Sequence, residues 1–189
     1  MHYLVIDLEA TCDERHRIPR EETEIIEIGA VMVDPESLLL TESFQTFVRP
    51  VIHPVLTPFC TKLTSIVQEQ VAGAPPFAEA IELLRSFIAG REVLFCSWGD
   101  YDRAQFAREA GRAQVALPLG ERHFNIKQAF NQRIGDGKRR GVGQALSYAG
   151  LRFEGTAHRG IDDARNIARL LPYALGRVTM ARAGAGRGT

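Results

Sequence analysis

Asp7 and Glu9 stand two residues apart at the end of the apolar run Tyr3-Leu4-Val5-Ile6. Side chains of a strand alternate faces, so both carboxylates point the same way, about 6.5–7 Å apart along the chain. Acids beside apolar neighbours repel one another and resist losing their water, and the simplest partner for such a pair is a cation. Further acids occur in two clusters, Trp98-Gly99-Asp100-Tyr101-Asp102 and His158-Arg159-Gly160-Ile161-Asp162-Asp163. Taken singly, each acid in a first helical turn is explained by the positive end of the helix dipole. Taken with the strand pair, they are candidate oxygen ligands for a hard divalent ion, Mg2+ or Mn2+. Zinc would instead recruit His or Cys.

The elements that must carry these residues can be read along the chain. The run Tyr3 to Glu9 reads as a first strand. After a polar stretch from Asp13 to Glu24, the β-branched run Ile25 to Val33 reads as a second. Asp34-Pro35 marks a turn, and Leu38 to Val48 is expected to close a meander. Pro50, Pro54 and Pro58 keep the next segment irregular, with a short helix expected from Thr57 to Leu63. Pro75-Pro76 opens a helix in which Phe77, Ile81, Leu84 and Ile88 recur near the 3.6 period, ended by Gly90. Val93 to Cys96 is short and apolar enough for a central strand, placing the acids from Asp100 at the junction of a strand and a helix, where ligands gather in α/β sheets. That helix is expected to run to about Ala110. A fifth strand from His123 to Ile126, a helix from Lys127 to Arg133, the basic loop Gly135 to Gly141 and a helix from Val142 to Ala149 follow. The last helix starts near Ile161 and should kink or end at Pro172. Three strands in a meander, followed by alternating strands and helices, imply an α/β fold: a mixed sheet of about five strands, one of them antiparallel, flanked by helices.

At 189 residues and 45% hydrophobic, the chain has the size and composition of one soluble domain. We expect that domain to span 1–176 and a disordered basic tail to follow over 177–189. The 23 basic and 23 acidic residues cancel, which argues against a protein that grips long duplexes by backbone charge alone. The first apolar run is short and acid-bearing, so neither a signal peptide nor a membrane span is expected, and the expected compartment is the cytoplasm. Cys12, Cys60 and Cys96 are far apart and odd in number, which reads as free thiols, buried or semi-buried.

Asp7-Leu8-Glu9-Ala10-Thr11-Cys12, Glu27-Ile28-Gly29-Ala30-Val31, Ser97-Trp98-Gly99-Asp100-Tyr101-Asp102 and the segment from His158 to Ala168 occur in one order. Together they resemble the DEDDh family of 3′-to-5′ exonucleases, which have the ribonuclease H-like fold. The branch they look like includes the histone-mRNA and small-RNA trimming enzymes. The likeness runs from about Tyr3 to Leu175. It implies Asp7, Glu9, Asp102 and Asp163 as ligands for two divalent cations and His158 as general base, an imidazole being able to accept a proton near neutral pH. The third acid of that family follows an aromatic residue and precedes an apolar one by four, which favours Asp102, with Phe106, over Asp100, left as the helix cap. Helical geometry does not separate Asp162 from Asp163, and the five-residue offset from His158 favours the latter. The resemblance also implies that the backbone at Ala10 and Thr11 receives the terminal nucleotide.

The expected partner is the 3′ end of single-stranded nucleic acid, RNA in preference to DNA, without a membrane; the oligomeric state is not legible. Trp98 and Phe59 fit either base stacking or the core, and Glu27 is expected to hydrogen-bond to a neighbouring element rather than to catalyse. Two other readings are available. Asp7-Leu8-Glu9-Ala10-Thr11 also looks like the opening of haloacid-dehalogenase-type phosphatases, with Asp7 as nucleophile and Asp162-Asp163 binding Mg2+. Alternatively, the chain is a non-catalytic nucleic-acid-binding protein that keeps the exonuclease fold.

Overall fold

The computed structural model describes residues 1–15 and 17–180. Five strands form one sheet in the order β3-β2-β1-β4-β5. β1 (His2–Ala10), β2 (Ile25–Val33) and β3 (Leu40–Phe47) make the antiparallel meander. β4 (Val93–Ser97) lies parallel to β1, and β5 (His123–Asn125) parallel to β4. β2 is therefore the one strand that runs against the others, as the alternation of motifs implied. Every residue of β2 is buried, because helices cover both faces of the sheet at that strand.

The alternation of β1 sorts its side chains between two cores. Leu4, Ile6 and Leu8 pack with Ile28, Ala30 and Met32 against α3 (Phe77–Ile88) and Phe106 of α4 (Tyr101–Ala113). Val5 faces the other way, with Val31 and Val33, toward α5 (Ile126–Ile134), α6 (Val142–Tyr148) and α7 (Gly160–Ala174). Asp7 and Glu9 continue the Val5 row past the edge of that second core. A single strand face thus changes from apolar to acidic at its C-terminal end.

Most element boundaries fall within two residues of the expected ones. One short helix, α2 (Gln68–Ala72), was not expected: its five residues carry too little periodicity to register. α1 (Pro58–Thr64) starts where Thr57 caps it by accepting from the Cys60 N–H. Pro172 does not end α7. It lies inside the last turn, and its carbonyl accepts from the Arg177 and Val178 N–H groups beyond the helix. The expected tail lies mostly outside the described residues, which end at Met180. Among the described residues no helix is long and apolar enough to cross a membrane, and all three cysteines are free.

Candidate active site

The site forms where α7 meets the open end of β1 and β2. Asp7 is paired across the strands with Gly29, so nothing projects from β2 at that level. A Cβ at Gly29 would lie 2.1 Å from the backbone carbon of Gly160, and one at Gly160 would lie 2.9 Å from the Asp7 carbonyl. Glycine at both positions lets the first turn of α7 rest directly on the strand pair. Glu27, fully buried, holds it there: its carboxylate accepts from the Gly160 N–H at 3.2 Å and from Arg159 Nε at 3.1 Å. The Arg159 guanidinium in turn lies 5.3 Å from the centre of the Phe47 ring.

This docking brings Asp163, in the first turn of α7, to the two strand acids. Oxygens of Asp7, Glu9 and Asp163 lie within 4.8 Å of one another. Asp102 arrives from the other side, on the first turn of α4, with its Oδ1 accepting from the Leu8 N–H at 3.1 Å. Burial and mutual repulsion show in the acidities. Asp7 is raised well above the carboxylate range, chiefly by burial and then by Asp102 and Asp163. Burial likewise pushes Glu9 up to about 8 and Asp102 to about 7. Asp163 rises to about 6, again mainly by burial, with the neighbouring His158 N–H and ring holding it back.

These residues fit a divalent cation on two counts. The donors are all carboxylate oxygens, the preference of hard ions. In addition, Asp163 Oδ2 is buried without a hydrogen-bond partner. Buried polar atoms are normally paired, and an unpaired carboxylate oxygen facing two further carboxylates lacks only a positive partner.

The structure separates the pairs that the sequence left close together. Asp162 accepts from the Thr156 N–H and pairs with Arg165, so it serves the turn before α7 and does not join the cluster. Asp100 occupies the cap position of α4, but its side chain makes no cap bond. It accepts from Asn125 Nδ2 at 3.0 Å instead. His158 is exposed on the turn that leads into α7, in the left-handed region at φ 61°, a conformation His visits more readily than most residues. Trp98 is structural: its Nε1 donates to the Arg140 carbonyl and its ring lies against Phe130.

At the strand exit, Ala10 and Thr11 are both buried. The Thr11 N–H and hydroxyl are engaged by Glu24, as donor and acceptor respectively. Glu24, which the sequence did not single out, also accepts from the N–H groups of Val51, Ile52 and His53, tying the proline-rich loop to the end of β1. Tyr101, read from the sequence only as the aromatic residue before the third acid, also lies at the site. It is 45% exposed and close enough to Asp102 and Glu9 that their charges, after burial, push its phenol up to about 12. It is the exposed aromatic beside the acids.

Comparison with known proteins identifies the family. The RNase T exonuclease model matches residues 4–171. ERI1 exoribonuclease 3 of Homo sapiens is 32% identical over 181 residues, covering 90% of this chain and 52% of its own length. The 3′-5′ exonuclease Snipper of Drosophila melanogaster is 31% identical over 190 residues, covering 90% of this chain and 68% of its own. The nuclease domain of 3′hExo, a DEDDh family member bound to rAMP, superposes with a TM-score of 0.84 at 26% identity, covering 93% of this chain and 92% of that one. The chain spans about half the length of ERI1 exoribonuclease 3, with 52% of that protein matched. By both sequence and architecture, the chain belongs to the RNase T exonuclease family, within its DEDDh group.

Proposed function

We propose that this domain hydrolyses single-stranded nucleic acid from the 3′ end, RNA in preference to DNA, and releases 5′ mononucleotides. The observation that carries the reading is the convergence of Asp7, Glu9 and Asp163, with Asp102 beside them, at a buried carboxylate oxygen of Asp163 that nothing among the described residues satisfies. The names of the relatives support RNA: exoribonuclease for one, and a nuclease domain holding rAMP for another. The four acids would hold two divalent cations, Mg2+ or Mn2+. When bound, these would supply charge stabilisation for the phosphodiester and activation of water.

The chain's own residues do the rest. His158, exposed and beside Asp163, accepts a proton from water and passes it to solvent. Asp102 is fixed by the Leu8 N–H, which keeps one wall of the site rigid. The strand exit at Ala10 and Thr11, with small and buried side chains beside exposed Tyr101, seats the terminal nucleotide. A phosphatase with Asp7 as nucleophile is disfavoured, because Asp162 is committed to Thr156 and Arg165 and the last acids open a helix.

The test is incubation of the protein with 5′-labelled single-stranded and stem-loop RNA and DNA, with and without EDTA. The expected result is a ladder shortening from the 3′ end, abolished by EDTA and by Asp163→Ala. His158→Ala should lose most of the rate while still binding RNA. Release of a nucleotide from the 5′ end, or an undiminished ladder in EDTA, would overturn the proposal.

A further inference from the structure

The basic loop before α6 is a built feature rather than a loose one. Arg140, buried, pairs with Asp136 and donates to Asn131 Oδ1 at 3.2 Å. Its guanidinium lies 4.6 Å from the centre of the Tyr148 ring, and its carbonyl accepts from Trp98. Gly135 and Gly137, at φ 74° and 73°, supply the left-handed turns that the loop needs around this anchor. Arg140 also occupies the only acid of the loop, Asp136, which its guanidinium holds down at about 2. Lys138 and Arg139 are thereby turned outward, with no acid within ion-pair distance among the described residues.

These two cations face α5 across a cleft of about 660 Å³. Lys127 supplies a third charge from the first turn of α5, its stem passing over Gly99, where a Cβ would lie 3.8 Å from Lys127 Cδ. Gln128 and Gln132 line the cleft with side-chain amides that bond to no other described residue. Asp100 is its one acid, and Asn125 already donates to it. In a chain whose 23 basic and 23 acidic residues cancel, three cations that form no ion pair among the described residues have been gathered around one concavity of ligand size. The cleft is lined by Gly99 and Asp100, on the turn that leads into α4 and so two residues before Asp102.

Resting on the exonuclease reading, we infer that this cleft is a second binding site, which holds the backbone phosphates of the substrate strand upstream of the bond being cut. Lys127, Lys138 and Arg139 neutralise the phosphates, and the two free amides offer donors and acceptors to the sugars. Recognition is of backbone, so the site makes the enzyme sensitive to strand length and salt rather than to base sequence.

The test compares wild type with Lys127→Ala/Lys138→Ala/Arg139→Ala and with the surface double variant Lys138→Glu/Arg139→Glu, using a ribodinucleotide and a strand of about twelve nucleotides. On the longer strand, KM should rise roughly tenfold with kcat little changed. The slope of log KM against log salt should become shallower by about 0.7 for each phosphate that the variant no longer neutralises. On the dinucleotide, kcat/KM should stay within about twofold of wild type. In EDTA, fluorescence anisotropy with the labelled longer strand should show the same roughly tenfold weakening without turnover. Equal losses on both lengths, or unchanged binding and salt slope in the double variant, would overturn the inference. If wild type binds the longer strand but hydrolyses nothing, the exonuclease reading fails, and the anisotropy comparison still decides the cleft.

Discussion

Glu9 and Glu27 sit directly opposite one another on β1 and β2, yet the fold treats them in opposite ways. Glu27 is fully buried and completely engaged, by the Gly160 N–H and by Arg159. Glu9 makes no ion pair among the described residues, and burial, together with Asp163, Glu27 and Asp102 beside it, pushes it up to about 8. The contrast separates an acid that builds the site from one that is left for the site to use. A carboxylate satisfied by the protein organises the helix that carries Asp163. A carboxylate denied a partner is a standing electrostatic cost that a proton relieves at low pH and a cation relieves above it.

The contrast is broken most directly by removing each charge in turn. Glu9→Gln should lower the hydrolytic rate about 1000-fold, roughly 4 kcal/mol of barrier, with the melting temperature in EDTA unchanged or higher. Rates on labelled RNA and thermal melts of the same preparation check both halves, and a marked loss of stability would show that Glu9 is structural after all. Glu27→Gln should do the reverse. Losing the charge that receives Arg159 and the Gly160 N–H should cost about 2 kcal/mol of stability, or roughly 4–8 °C in melting temperature. The rate should fall by only about tenfold, through misplacement of Asp163. A Glu27→Gln variant as stable as wild type would remove the organising role.

How much of this was visible in the chain depends on what each residue answers to. The strands were legible because their apolar runs are set by burial on both faces, and Asp7-x-Glu9 because strand geometry alone puts two alternate residues on one side. Asp102 and Asp163 became legible only through their order with the other motifs, since a first-turn acid taken alone is explained by the helix dipole. The partner of Glu27 was not readable: Arg159 lies 132 positions away, and charge pairing at that distance leaves no local trace. Gly29 did leave one. A glycine in the middle of a β-branched strand signals close backbone approach, and Gly160 is what approaches. Glu24 carried no such signal, because its role depends on the proline-rich loop folding back onto the end of β1, and Tyr101 was legible only as the aromatic residue before the third acid.

A further measurement resolves the comparison by proton linkage. In the unfolded chain these acids titrate near 3.8 for Asp and 4.5 for Glu; in the folded protein Asp163, Asp102 and Glu9 titrate at about 6, 7 and 8. Between about pH 5 and 8 the folded state therefore holds more protons than the unfolded state, and stability in EDTA must fall as pH rises. Acids lowered by their partners, such as Asp13 and Asp34, titrate below this window and do not mask the trend. Melts in EDTA should drop steadily from pH 5 to pH 8, by several degrees for each unit of pH. Saturating Mn2+ should reverse the drop, and by more at pH 8, because the ion binds the deprotonated carboxylates. At about 100 times its dissociation constant the gain is roughly 2.7 kcal/mol. Glu9→Gln should flatten the slope in EDTA, whereas Glu27→Gln should keep it on a lower baseline. A melting temperature that rises with pH in EDTA would mean that the four acids are not held together without metal, and the distinction between the satisfied and the unsatisfied glutamate would go with it.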